Sequence, residues 1–171
     1  MKPRLGILLL SASLAFAAQA RATTLPDACG DDKVKFDVKT ENSKTVPAPP
    51  SDGKAQIVFI ENENQPIGPF MHATVRFGID GAWVGADNGN SYFALSVDSG
   101  VHHLCANWQS VIKGKNVDLT SFTAEPGKIY YFASNVTVES ESVVNFGLSQ
   151  LNEDEAKYRI KASKFSTWKS K

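Results

Sequence analysis

The residue types best suited to chemistry stand close together in the stretch SGVHHLCANW, residues 99–108, which contains His102, His103 and Cys105. Imidazole and thiolate groups bind zinc and act in acid, base and nucleophilic catalysis. The stretch is also typical of a strand, whose successive side chains point to opposite faces. The two histidines then diverge and cannot readily share one metal ion. We therefore expect His102 at the margin of the core, hydrogen-bonded, and His103 on the surface.

A hydrolase assembled from scattered residues is an alternative that the sequence does not favour. The acidic residues of GIDG, GADNG and VDSG are better explained by the turn preference of Asp. These loops carry oxygen ligands of the kind Ca²⁺ prefers, but none has the spacing of an EF-hand. Nucleophile-elbow, zincin and phosphate-loop motifs are lacking. The sequence therefore predicts no enzyme and no cofactor, and the scattered candidates are His72, His102 or His103 with Asp80, Asp87 or Asp98.

The stretch HATVRFGIDGAWVGAD predicts a β-hairpin, because Asp80-Gly81 tolerates the positive φ angles of a two-residue type I′ turn. This turn places Phe77 opposite Val84. Six residues then share the inner face, namely Val75, Phe77, Ile79, Ala82, Val84 and Ala86.

Trp83 falls on the opposite, outer face of this hairpin, near Arg76. A tryptophan in that position has two interpretations. It forms a stacking platform for carbohydrate together with Arg76 and Tyr92, or it is covered by a second sheet, an N-terminal arm or a helix. Because most tryptophans are largely buried, the covered ring is the favoured interpretation.

The chain has two cysteines, Cys29 and Cys105. An even count in an exported chain favours a disulfide, which would close a long loop. A reactive thiol is the alternative, but neither cysteine belongs to a C-x-x-C pair.

Residues 1–22 have the features of a secretory signal peptide: a basic start, an apolar run and small residues that allow cleavage after Ala20 or Ala22. The whole chain balances 18 basic against 18 acidic residues, and removal of the signal leaves a small acidic excess. Nucleic-acid binders usually show a basic excess, so this class is not expected. The mature chain contains no further candidate membrane span, and we expect it in the periplasm or outside the cell.

The mature chain is predicted to be one mainly β domain. Residues 23–52 form an N-terminal arm with one strand, KVKFDVK, and a Pro-rich spacer. Residues 53–165 alternate strands with turns and end in a helix that begins at Asn152, a good N-cap residue. Residues 166–171 are predicted as a C-terminal tail.

The order of these motifs resembles that of uncharacterised bacterial envelope proteins grouped as domain of unknown function 2846. The matching segments are GKAQIVFIE, DGAWVG, NSYFALSVDSGVHHLCA, EPGKIYYF and FGLSQLNEDEAK, within residues 53–162. The resemblance implies an antiparallel β-sandwich, similar to Ig-like, PEGA-like and carboxypeptidase-regulatory-like modules, with a short C-terminal α-helix. It implies no activity. The arm and the cysteine pair lie outside the shared pattern.

Sequence and resemblance together indicate an exported, non-enzymatic module of the bacterial envelope. Loops and sheet edges of such a sandwich suit recognition, so the expected partner is another envelope protein or a cell-wall component. A carbohydrate-binding module that uses Trp83 is the first alternative, and a hydrolase is the less favoured one.

Overall fold

The chain folds as a two-sheet β-sandwich with one helix, in a computed structural model that describes residues 26–42, 50, 53–63, 72–109, 117–140 and 143–171. The expected signal peptide, residues 1–22, and most of the Pro-rich spacer lie outside these residues. The elements are β1 (Phe36–Glu41), β2 (Lys54–Glu63), β3 (Thr74–Ile79), β4 (Ala82–Asn88), β5 (Ser91–Asp98), β6 (Gly100–Trp108), β7 (Val117–Ala124), β8 (Ile129–Ser140), β9 (Val143–Leu151), α1 (Glu153–Ala162) and β10 (Lys164–Ser170).

The larger sheet has six strands in the order β1-β10-β5-β2-β8-β9, and the smaller has four in the order β4-β3-β6-β7. The prediction of a mainly β sandwich with a C-terminal helix is thus confirmed. The larger sheet is mixed, however, because β2 pairs in parallel with β8 and β10 with β5. Between β2 and β8 the chain forms the entire smaller sheet, so the two strands can enter the larger sheet in the same direction.

The core between the sheets is rich in phenylalanine. Phe59 of β2 stacks on Phe77 of β3 with ring centroids 4.4 Å apart, and Phe93 of β5 meets both rings. The opposite face of β2 packs Val58 and Ile60 into a second cluster, under α1. Both faces of β2 are therefore buried, which explains its unbroken apolar run.

Helix α1 begins as the sequence predicts, since the side chain of Asn152 accepts a hydrogen bond from the N–H of Glu155 at 2.9 Å. Its buried residue is Ala156, whereas Tyr158 is 76% exposed. In the part of the chain that the structure describes, no helix has the length and apolar character needed to cross a membrane.

The prediction of a helix reaching residue 165 and a tail after it is wrong. Residues Lys164–Ser170 form β10, which lies between β1 and β5. Phe165 and Trp168 pack on opposite faces of the sheet, and Trp168 lies 4.4 Å from the Phe93 ring, so apolar burial favours a strand here. The N-terminal arm is likewise no separate unit, because its strand β1 forms an edge of the larger sheet.

The β3–β4 hairpin has the expected turn, with φ of 49° at Asp80 and 88° at Gly81. A β-bulge follows, and Phe77 lies opposite Gly85 instead of Val84. The extra residue reverses the alternation of β4. Ala86, predicted on the inner face, therefore pairs with Arg76 on the outer face, and Asp87 takes the inner position opposite Val75.

Candidate functional site

The N-terminal arm is covalently fixed to the smaller sheet. Cys29 and Cys105 of β6 form a disulfide with their Cα atoms 5.2 Å apart, which confirms the predicted pairing over the reactive thiol. Next to this bond, the N–H of Gly81 donates to the carbonyl of Ala28 at 3.2 Å. The arm thus lies across the β3–β4 hairpin, where the outer-face candidates were predicted.

Arg76 is buried beneath this arm, with 2% of its surface exposed. Its Nε donates to Oδ1 of Asn107 at 2.6 Å, and Nη1 donates to the carbonyls of Asp32 and Val34. Nη2 forms a salt bridge with the Asp32 carboxylate at 3.2 Å. Burial lowers the pKa of Arg76, and the Asp32 carboxylate opposes that shift. The guanidinium therefore ties the arm to the sheet and is not a free ligand contact.

Trp83 is half-buried between Arg76 and the arm. The Arg76 guanidinium lies 4.4 Å from the ring centroid, a cation–π contact. The indole Nε1 donates to the carbonyl of Asp31 at 2.8 Å. The arm passes so close that a Cβ at Gly30 would lie 2.3 Å from Cδ1 of Trp83, so only glycine fits there. As the covered-ring interpretation predicts, the arm packs on Trp83.

The remaining surface of Trp83 lines an open groove of about 430 Å³, which we call the arm groove. Its other walls are residues 81–82 of the hairpin, residues 168–170 of β10, and Gly30, Asp31, Val34 and Phe36 of the arm. Trp168 is the aromatic residue of this groove that sequence reasoning missed. Trp168 and Ser166 lie two residues apart on one face of β10, whereas the sequence predicts a helix to residue 165 and a tail after it.

Tyr92 does not join this site. Its side chain is 1% exposed and packs edge-on against Phe165, with centroids 5.6 Å apart, on the side of the larger sheet that faces α1. The structure thus brings together two of the three predicted platform residues, Trp83 and Arg76, and only Trp83 lines the groove.

His102 links the turn of the β3–β4 hairpin to the start of β6. Its Nδ1 lies 2.6 Å from Oδ2 of Asp80, and its Nε2 lies 2.9 Å from the carbonyl oxygen of Asp98. Both partners are acceptors, so the geometry favours an imidazolium with both nitrogens protonated. Burial lowers the pKa of His102, but these hydrogen bonds and the two carboxylates outweigh it and raise the pKa. The margin position predicted for His102 fits this geometry.

The scattered hydrolase residues fall into two groups at opposite ends of the hairpin. Asp80 and Asp98 are with His102 at the turn end, where His103 contributes its backbone N–H to Asp80 at 2.8 Å. At the other end, Asp87 lies in β4 and His72 precedes β3.

The end of the sandwich that holds Asp87 contains three buried carboxyl groups, which we call the acidic cluster: Glu61, Glu63 and Asp87. Glu61 and Glu63 follow Phe59 on the inner face of β2, and the bulge places Asp87 on the facing surface of β4. Their exposures are 1%, 5% and 0%. Among the described residues, five of their six oxygens accept no hydrogen bond, and the sixth, on Glu63, lies 2.9 Å from Nδ1 of His72.

Burial raises the pKa of Glu61 well above its usual value, and the nearby charges of Asp87 and Glu63 raise it further, against a smaller opposing effect of the Gly89 backbone N–H. Burial likewise raises the pKa of Asp87, against a smaller opposing effect of the Ser166 hydroxyl. Sequence reasoning missed Glu61 and Glu63, which look like the polar end of an apolar strand. The signal that could have found them is their position two and four residues after Phe59, which places all three side chains on the same face of the strand.

Among the described residues, no three His, Cys, Asp or Glu side chains are arranged to coordinate one metal ion. Comparison of the sequence with protein-family models finds no match, and comparison with curated proteins finds none either.

Proposed function

We propose that this protein is an exported, non-enzymatic binding module of the bacterial envelope and that its ligand occupies the arm groove. The observation that carries the proposal is the groove itself, because the arm, the hairpin and β10 together form a concave surface of about 430 Å³. Small-molecule sites are typically concave with apolar walls and a few polar groups. The disulfide fits an oxidising compartment, outside the cytosol.

The groove is held in shape before any ligand arrives. The disulfide and the Arg76 hydrogen bonds fix its arm wall, and the type I′ turn fixes its hairpin wall. A rigid site loses little conformational entropy on binding. The arm therefore has a role in recognition as well as in stability.

A cell-wall glycan is the ligand that the groove suits best. Trp83 and Trp168 give it two half-buried aromatic walls, and Lys169 adds an exposed cation beside them. Aromatic faces pack against the apolar faces of sugar rings, and the ammonium group suits a carboxylate on the glycan or its peptide. An extended segment of an envelope protein is the alternative occupant.

Titration with soluble peptidoglycan fragments tests this proposal, with tryptophan fluorescence and calorimetry as readouts. Ala82 is exposed and lines the groove, so Ala82→Arg would fill it without changing the core. Val101, 65% exposed on β6 and outside the groove, gives the matched control Val101→Arg. We expect saturable binding that Ala82→Arg weakens at least about tenfold, equal to 1.4 kcal/mol, and that Val101→Arg leaves unchanged.

Binding that both variants weaken equally would place the ligand elsewhere. Failure of fragments and of a glycan panel to bind, combined with saturable binding of an envelope protein that Ala82→Arg abolishes, would replace the glycan with the protein partner. If neither class binds, the arm groove is not a recognition site.

A further inference from the structure

The acidic cluster is not used by the proposed function, and its arrangement raises a problem of charge. Glu61 and Asp87 place four carboxyl oxygens in the interior, and none of the four accepts a hydrogen bond from the part of the chain that the structure describes. An ionised carboxylate in such a place costs several kcal/mol unless a cation or donors compensate. No lysine or arginine of the described residues pairs with either group, and Lys164, at this end of β10, has an exposed side chain.

The neighbouring hydroxyl groups give their protons to other acceptors. The hydroxyl of Ser91 donates to the carbonyl of Asn88 at 3.1 Å, which leaves its oxygen as the acceptor for the hydroxyl of Ser166 at 2.8 Å. In this geometry the Ser166 hydroxyl donates to Ser91, although Ser166 lies near enough to Asp87 to oppose the rise in its pKa. Among the described residues, both carboxyl oxygens of Asp87 are left without a hydrogen-bond partner, so an ionised Asp87 has no donor to stabilise its charge.

Glu61 has a comparable neighbour. Ser134 of β8 is opposite Glu61 in the parallel β2–β8 pair, so the two side chains share the inner face. Its hydroxyl is fully buried and has no hydrogen-bond partner within the described ranges. If Glu61 is protonated, its O–H group supplies a hydrogen-bond donor to a site in which five described carboxyl oxygens have no donor.

We propose that Glu61 and Asp87 form a buried proton-binding pair that keeps this end of the sandwich closed while both carry protons and opens it when they ionise. Among the described residues, the titratable groups that face the pair are Glu63 on β2 and His72 before β3, with 2.9 Å between Oε2 of Glu63 and Nδ1 of His72. The strands β5, β8 and β10 present hydroxyl groups instead of charges, namely Ser91, Ser134 and Ser166.

The part that opens is the β4–β5 turn, residues 89–90. Asn90 accepts the N–H of Glu63 at 3.0 Å, and Nδ2 of Asn88 donates to the carbonyl of Ala73 at 3.0 Å. The His72 ring lies so close that a Cβ on Gly89, whose φ is +58°, would be 2.9 Å from it. These contacts close the end of the sandwich over the pair. Repulsion among three ionised carboxylates would act directly against them.

Infrared spectroscopy of the whole mature protein, with ¹³C-labelled Asp and Glu carboxyl groups, tests the first half of the proposal. At pH 7 exposed carboxyl groups are ionised, so a carboxylic-acid C=O band reports buried protons. We expect this band in the wild type, a weaker band in Glu61→Gln and in Asp87→Asn, and an unchanged one in the control Asp98→Asn, whose side chain is 82% exposed. The wild-type spectrum alone decides the point if a variant does not fold.

Amide hydrogen exchange against pH tests the second half. After correction for intrinsic exchange, protection of residues 89–91 should fall by up to about tenfold per pH unit for each carboxyl that ionises, while strand β6 keeps its protection. Absence of the acid band at pH 7 would overturn the proposal. So would loss of the band on addition of millimolar Ca²⁺ with a higher melting temperature, which would make the cluster a cation site.

Discussion

At the scale of single residues, His102 shows how one titratable side chain holds a turn in place. Its two nitrogens meet two acceptors, the carboxylate of Asp80 and the carbonyl of Asp98, so the protonated ring satisfies both. The raised pKa of His102 means that its stabilising contribution is complete below the unfolded value of about 6.5. The contribution is lost as the pH rises through the higher folded value.

We predict that His102→Gln costs about 1 kcal/mol of unfolding free energy at pH 5.5, and less at pH 8.5. Urea denaturation of both proteins at the two pH values measures this difference. His103→Gln is the matched control, because His103 contributes backbone groups to the hydrogen bonds of this turn: its N–H donates to the Asp80 carboxylate and its carbonyl accepts from the Asp80 N–H. An equal cost of His102→Gln at both pH values would contradict the protonated bridge.

A second prediction at this scale concerns Gly85, the residue that the bulge places opposite Phe77. A Cβ there would lie 2.5 Å from the ring of Phe93, which is fully buried, and 2.9 Å from Trp168, which packs against Phe93. Gly85→Ala should therefore destabilise the fold by about 1–3 kcal/mol through overpacking. Gly147→Ala should cost less than about 1 kcal/mol, since its Cβ would meet its nearest neighbour at an ordinary 3.6 Å. Denaturation midpoints of the two variants measure this difference. Equal costs would show that the side chains around Gly85 rearrange to accommodate a methyl group.

At the scale of elements, the arm depends on the fork of Arg76, which reaches two carbonyls and one carboxylate at once. Lysine has a point charge and cannot reproduce this geometry. We predict that Arg76→Lys costs about 2–4 kcal/mol, because buried partners lose their donors. Arg159→Lys on α1 should cost less than about 1 kcal/mol, because the partly buried Arg159 has side-chain partners, Glu155 and Asn135, that a lysine can still reach singly. Chemical denaturation of both variants compares their losses of unfolding free energy. Similar losses would mean that water replaces the hydrogen bonds of the Arg76 guanidinium.

The elements also show how far sequence reasoning reaches. Alternation and turn residues predicted the hairpin, its type I′ turn and the N-cap of α1, because these features depend on local conformation. They did not predict the bulge, because the extra residue in β4 can be recognised only from the observed pairing of Phe77 with Gly85. The acidic cluster depends on that same bulge, because Asp87 reaches Glu61 only after the alternation of β4 reverses. The acidic cluster could therefore not be predicted from the sequence of β4, which has the pattern of a regular strand.

At the scale of the whole molecule, the titrating groups together predict a stability maximum in mildly acidic solution. The pKa values of Asp80 and Asp98 are lowered in the folded state, so their ionised carboxylates stabilise the fold above about pH 4. This stabilisation is lost as the pH falls further. The raised pKa values of Glu61, Asp87 and His102 act in the opposite direction, so stability falls as pH rises. Thermal unfolding across pH should show the maximum between about pH 4 and 6.5, and a maximum above pH 7 would contradict these directions.

The disulfide acts on the whole molecule because it closes a loop of 76 residues between the arm and β6. In the chain-entropy description a loop of this length contributes about 4 kcal/mol, a large part of the stability of an average domain. The variant Cys29→Ala/Cys105→Ala should lose about that amount in urea denaturation.

The same disulfide and Arg76 hold one arm, so their contributions should not be additive. Once the disulfide is removed, the arm can leave the hairpin at lower cost, and Arg76 then has less native structure to stabilise. We expect Arg76→Lys to cost at least about 1 kcal/mol less in the cysteine-free protein than in the disulfide-bonded one, measured as a double-mutant cycle. Equal costs would show that the arm stays docked without its disulfide. The arm groove would then keep its shape, and its proposed ligand should bind the reduced protein as tightly as the oxidised one.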